Sequence, residues 1–187
     1  MAFTGDHFSW SKVPLMVTIR AENSEDGLAI HAVHVAAFPT DTEARLVDAL
    51  RANGKASVSL VAESEGHIIG HVLFSPVSIE SASGLVRGAG LAPIAVLPSH
   101  QQKGAGTDLV ASGIKACRGS EFGFIAVLGE PTFYQRFGFK RARSFGLENE
   151  YGVDDEFMVL ELRSGYLTGP RGVVRYGAEF SIVQSVS

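Results

Sequence analysis

The segment Gln101-Gln102-Lys103-Gly104-Ala105-Gly106 has the composition of an anion-binding turn. An apolar run, Ile94-Ala95-Val96, leads through Leu97 and Pro98 into it, and a helical pattern begins at Gly104. The first turn of a helix exposes unpaired backbone N–H groups and carries a partial positive charge. Small residues there let the backbone close around a phosphate or diphosphate. Lys103 would add a full charge, and the turn runs on to Thr107. The plainer alternative is that the glycines merely permit a tight strand-to-helix connection. Local chemistry alone leaves both open. The turn is not a P-loop, because no Gly-Lys-Ser/Thr follows. It is not a dinucleotide fingerprint either, because Leu109 stands where a third glycine would be needed.

Other reactive residue types are sparse. The run from Ala89 to Val96 carries no Asp, Glu or His, so it offers no general base. Glu130 stands beside Pro131, where a Glu is commonly only a favourable first-turn charge. His31 and His34 are three apart on a helix pattern, and His67 and His71 share a strand face. Neither pair has a third ligand at a recognisable spacing, so no metal site is expected. Cys117 falls on the buried side of its helix pattern and reads as an inert core thiol.

The elements that must position these residues follow from periodicity. Val17–Arg20 reads as a first strand. Ser24 is placed to cap a helix carrying Ile30, Val33 and Ala37 on one face. Thr40 and Glu43 have capping-box spacing ahead of a second helix with Leu46, Val47 and Leu50. Ser57–Glu63 and His67–Ile79 flank the turn residues Ser64-Glu65-Gly66 and predict a hairpin. Ala89–Leu97 is an uncharged run fit for a central strand. Pro93 cannot donate to a ladder, so that strand should be bulged or splayed there. A helix over Gly104–Cys117, a strand over Phe122–Leu128, a short helix starting at Pro131 and a strand over Phe157–Leu162 complete an α/β order with a mixed sheet. Residues 1–16 form an irregular lead-in, 17–163 one domain, and 164–187 a tail that folds back onto it.

Composition narrows the function classes. A chain of 187 residues with 45% hydrophobic and 19% charged residues is globular and long enough for its own core. Net charge is −4 and the basic residues form no long run, so nucleic acid is not an expected partner. One cysteine allows no intrachain disulfide. Met1–Trp10 lacks the features of a signal peptide, and no run approaches the ~18 apolar residues of a membrane span. A cytoplasmic location with no membrane partner is the expectation.

The turn and its flanks resemble the GNAT superfamily of Gcn5-related N-acetyltransferases. Gln101, Gly104 and Gly106 match its Gln/Arg-x-x-Gly-x-Gly/Ala motif, and Phe133-Tyr134-Gln135-Arg136-Phe137-Gly138-Phe139 resembles its Tyr-x-x-x-Gly-Phe ending. Val127-Leu128-Gly129-Glu130-Pro131 looks like the YhbS-like branch of predicted acetyltransferases. The two motifs cover residues 89–139, and the resembling order of elements runs from Val17 to Leu162.

The resemblance implies a mostly antiparallel sheet whose central strands splay apart, flanked by helices. It implies acetyl-CoA as co-substrate, held along Ile94, Ala95 and Val96, with its pyrophosphate at Gln101, Gln102, Lys103, Gly104, Ala105, Gly106 and Thr107. It implies direct attack by a primary amine of a small molecule or peptide, an oxyanion donor such as the Val96 N–H, and Tyr134 as the acid that protonates the departing thiolate. The base that takes the amine's proton is not readable: Glu130 is the nearest candidate in sequence, and a chain of waters is the other option. For Tyr134 the alternative is a packed ring with a hydrogen-bonded hydroxyl. The acceptor is not readable, and neither is the assembly, for which a homodimer is one option. A GNAT-like domain that senses acyl-CoA without turnover is the alternative function.

Overall fold

The computed structural model describes residues 16–81 and 84–184. Apart from Met16, the lead-in expected over residues 1–16 lies outside them. Nine strands form one sheet in the order β1-β2-β3-β4-β5-β8-β6, with β9 bridging β3 and β7. The first half contains β1 (Val17–Ala21), α1 (Gly27–Ala37), α2 (Thr42–Ala52), β2 (Val58–Ser64), β3 (His67–Ser81) and β4 (Gly84–Val96). The second half contains α3 (Ala105–Arg118), β5 (Phe124–Leu128), α4 (Pro131–Tyr134), β6 (Lys140–Arg141), β7 (Leu147–Asn149), β8 (Phe157–Glu161), β9 (Gly172–Arg175) and α5 (Ser181–Gln184). All pairings are antiparallel except β4–β5 and β7–β9. This is the mixed, mostly antiparallel sheet expected.

Each face of the sheet is covered because its helices carry an apolar stripe. Leu109, Val110, Ile114 and Cys117 of α3 pack with Val72, Phe74 and Leu91 on one face. On the other, Ile30 of α1 and Leu46, Val47 and Leu50 of α2 pack over Val61 and Leu73. Burial holds the Cys117 thiol at a pKa near 12, so it stays protonated and unreactive. The tail supplies β9, which pairs Ile79 with Val174. It uses the stretch of β3 beyond Phe74, where the pairing with β2 has ended. An exposed strand edge is thereby covered by the chain's own end.

Two local expectations are corrected. Ser24 does not cap α1. The N-cap is Asp26, and its carboxylate is taken by the Arg20 guanidinium and the Asn23 N–H. The Thr40–Glu43 capping box does not form either. Asp41 is the N-cap of α2, Thr40 Oγ1 accepts from the Thr42 N–H at 3.4 Å, and Glu43 points elsewhere.

The anomaly at Pro93 organises the site. The Ala92–Pro93 bond is cis. Opposite it the register shifts, so that Val72 faces Ile94 while Phe74 faces Leu91. On its other edge β4 pairs with β5 only at Ala89–Ile125 and Gly90–Ala126. Beyond Gly90 the two parallel strands separate.

Candidate active site

The gap between β4 and β5 has a polar edge. The Leu97 N–H donates to the Ile69 carbonyl at 2.8 Å. Alternation along an antiparallel ladder then turns the backbone groups of Ile94 and Val96 away from β3 and into the gap. The Gln101 side chain donates to the Val96 carbonyl at 3.0 Å, which ties the turn to the splayed strand.

Below that edge the chain makes a short 3-10 turn, Pro98–His100, and then enters α3. Gly104 is the N-cap of α3, with φ of 98°. That left-handed backbone is cheap only for glycine. Gln102 is also left-handed, with φ of 59°. These conformations gather the turn around a cavity of about 550 Å³. Ile94, Ala95, Val96, Gln101, Gln102, Gly104, Gly106 and Thr107 all line it. Two expected members do not. Lys103 donates to the Ser99 carbonyl at 2.8 Å, and Ala105 is buried in the core beneath α3.

The cation that does line the cavity is Arg136. Its guanidinium lies over the Phe133 ring, 4.7 Å from the centroid, and donates to Thr107 Oγ1 at 3.4 Å. Stacking holds a cation beside the mouth of α3 without neutralising it. Arg136 lies within the Tyr-x-x-x-Gly-Phe motif, where the sequence marks Tyr134 and Gly138 but gives no sign of Arg136's reach to Thr107.

A second cavity of about 380 Å³ opens on the α1–α2 side of the splay. Ile94 lines both cavities, so they meet at the strand that splays. Tyr134 lines the second and is only 6% exposed. Burial pushes its pKa up to about 12, so the phenol stays protonated at neutral pH. Gly129 makes room for it, since a Cβ there would collide with the Tyr134 ring. Glu130 takes no part in either cavity. It is exposed and caps α4, accepting from Thr132 Oγ1 at 2.9 Å.

Neither histidine pair read from the sequence forms. His31 Nδ1 meets the Asp48 carboxylate at 2.7 Å. His34 instead meets His71, with Nε2 to Nδ1 at 2.8 Å, in a fully buried contact between α1 and β3. The chain continues from His71 Nε2 to Ser59 Oγ at 2.8 Å, and Ser59 donates to Glu22. Among the described residues no group of three or more His, Cys, Asp or Glu is arranged to hold a metal.

Comparison with known proteins agrees with this geometry. The family model described as an acetyltransferase (GNAT) domain matches residues 55–141. The uncharacterized N-acetyltransferase YhbS of Escherichia coli K12 is 36% identical over 167 residues, spanning 87% of this chain and 98% of YhbS. The chain belongs to the GNAT family of N-acetyltransferases. The crystal structure of E. coli YhbS in complex with CoA superposes with a TM-score of 0.85 at 31% identity, over 92% of this chain and 96% of that one. A GNAT acetyltransferase from Brucella melitensis in complex with acetyl-CoA gives 0.73 at 34% identity, over 88% and 98%. Membership makes this GNAT chain an acyltransferase. Among its described residues no helix is long and apolar enough to cross a membrane.

Proposed function

We propose that the protein transfers the acetyl group of acetyl-CoA to a primary amine by direct attack. The observation that carries this is the junction of the two cavities at Ile94, on the strand edge that β5 leaves unmatched, with the first cavity as the donor side and the second as the acceptor side. The pantetheine arm runs along Ile94, Ala95 and Val96 as a substitute strand, pairing with the groups that β5 leaves unmatched. The pyrophosphate sits on the N–H groups of the turn from Gln101 to Thr107, with Arg136 as its counter-charge. Lys103 adds only a peripheral positive charge. CoA-bound relatives with the same fold support this placement. Residues 17–163 form the catalytic unit, and the tail 164–187 belongs to it because Tyr176 and Phe180 wall the acceptor cavity.

In the reaction the neutral amine attacks the thioester carbon and a C–N bond forms. The Val96 N–H stabilises the oxyanion. The C–S bond then breaks, and its electron pair leaves on sulfur. Tyr134 donates its hydrogen to that sulfur. With a pKa near 12 it acts as a donor and never as a base at neutral pH. A thiolate of ordinary pKa near 8.5 needs only modest help to leave. The proton lost by the amine nitrogen passes through solvent to the Tyr134 phenolate and restores it, so the products are the amide and the free CoA thiol. Holding both substrates in one cleft supplies most of the acceleration.

The test begins with the donor. Acetyl-CoA at a hundred times its dissociation constant should stabilise the fold by about 2.7 kcal/mol. CoA release should then depend on added amine. Binding without release on a broad amine panel would overturn the transferase reading.

A further inference from the structure

The acceptor cavity has an unusual charge pattern. Of the residues lining it, Glu43 alone is charged. Its Oε2 is buried and has no hydrogen-bond partner, and no cation meets the carboxylate among the described residues. The rest of the wall is aromatic or aliphatic, with Phe38, Tyr151, Tyr176 and Phe180 around it. A carboxylate oxygen withdrawn from water without a partner is costly. The first turn of α2 offsets part of that cost through the helix dipole. A ligand cation would offset the rest.

We propose that Glu43 is the recognition carboxylate for the acceptor's ammonium, and that the acceptor is a small monoamine on an uncharged aromatic or branched aliphatic body. This rests on the transferase reading above. A volume of about 380 Å³ lies within the roughly 300–1,000 Å³ of small-molecule pockets. One carboxylate matches one ammonium, and the aromatic rings favour the same cation. A polyamine or an aminoglycoside would bring further cations against an apolar wall with nothing to pair them. A free amino acid would bring its own carboxylate into a cavity that has no Lys, Arg or His to receive it. Glu43 therefore selects: it holds the acceptor as its ammonium, which gives up one proton to solvent water before the neutral amine attacks, so the role of Glu43 is recognition rather than proton transfer.

The experiment uses the full chain with acetyl-CoA and reads CoA release. The amines are 2-phenylethylamine, isoamylamine, spermidine, kanamycin and lysine. The two monoamines should be the best substrates. Glu43→Gln should raise the KM for the monoamine by about 10- to 100-fold, the scale of one lost charge-assisted contact, and leave the KM for acetyl-CoA unchanged. The same variant should melt no lower than the wild type, because the carboxylate it removes has no internal partner. Preference for spermidine, kanamycin or lysine would overturn this inference and leave the transferase standing. So would an unchanged amine KM in Glu43→Gln, which would leave Glu43 as a first-turn charge. Acetyl-CoA binding with no amine turned over would overturn both.

Discussion

The two cavities, donor and acceptor in the proposed reaction, are built differently. The donor side is made almost wholly from one contiguous stretch, 94–107, and the groups the proposal assigns to it are backbone N–H and C=O. Only Phe133 and Arg136 reach in from elsewhere. The acceptor side is assembled from α1, α2, β4, β5, α4, a loop at Tyr151 and the tail, and its working groups are side chains. A cofactor that never changes can be held by backbone geometry, which tolerates changes of side chain. A wall of side chains from separate elements can be exchanged residue by residue without moving the sheet.

The sharpest test of that division lies where the two cavities meet. Tyr134→Phe should lower kcat by about 100-fold while leaving the affinity for acetyl-CoA unchanged, because general acids contribute roughly 10²–10⁴-fold. Single-turnover rates and equilibrium binding measured on the same variant separate the two. A loss confined to acetyl-CoA affinity would move Tyr134 to the donor side. Gly129→Ala should reproduce much of this loss without touching the hydroxyl, because its Cβ collides with the Tyr134 ring and displaces it.

A backbone-built donor site should also be more sensitive to backbone than to side chain. Gly104→Val forces a β-branched residue into a left-handed conformation at about 1–2 kcal/mol per residue, and should weaken acetyl-CoA by up to about 30-fold. Arg136→Ala should weaken it less, by about tenfold, and more so at low ionic strength. Lys103→Ala should cost least, since Lys103 is exposed and bound to Ser99. Isothermal titration of all three checks the order. If Lys103→Ala proved the most damaging, the turn would be a charge site and not a backbone cradle.

The same division explains what could be read in advance. Gly104, Gly106 and Pro93 are local signals whose conformational consequences need no partner, so the turn, the helix after it and the break in β4 were all legible. The α3 stripe was legible for the same reason. Glu43 was hidden because its spacing from Thr40 fits a capping box, and only the position of α2 against β4 shows that it lines a cavity. Arg136 was hidden because its contact with Thr107 spans 29 residues. His34 and His71 are 37 residues apart, and each has a closer histidine in sequence that misdirects the pairing. The tail's strand was unreadable because its partner is the far end of β3.

The smallest expected effect concerns the floor beneath the acceptor wall. Phe38, which lines the acceptor cavity, stacks on His34. Burial holds His34 at a pKa of about 3 and also lowers that of His71. A single set of neutral tautomers satisfies the chain. His34 Nε2–H donates to His71 Nδ1, His71 Nε2–H donates to Ser59 Oγ, and Ser59 donates to Glu22. Only the bare His34 Nδ1 lone pair is left over. Arg51 and Asp48 are the charged groups at the far end. Against the cost of burial, the nearby His71 ring and hydrogen bonds from Arg51 and Ser59 hold Glu22 ionised down to about pH 2. A folded pKa below the unfolded value of 6.5 means the unfolded chain binds more protons in mild acid. The stabilisation is complete above pH 6.5 and is lost as pH falls toward 3. Between pH 7.5 and 6.0, His34 alone should cost about 1 kcal/mol of stability. Urea unfolding at the two values measures it. His34→Gln retains an amide N–H for His71 and removes one titration, so its stability should vary less with pH. Acetyl-CoA affinity should be level over the same interval, because the donor turn does not rest on α1. A matching fall in acetyl-CoA affinity would show that the two sides are coupled through the β3–β4 pair, where His71 of β3 and Ala95 of β4 are direct cross-strand partners.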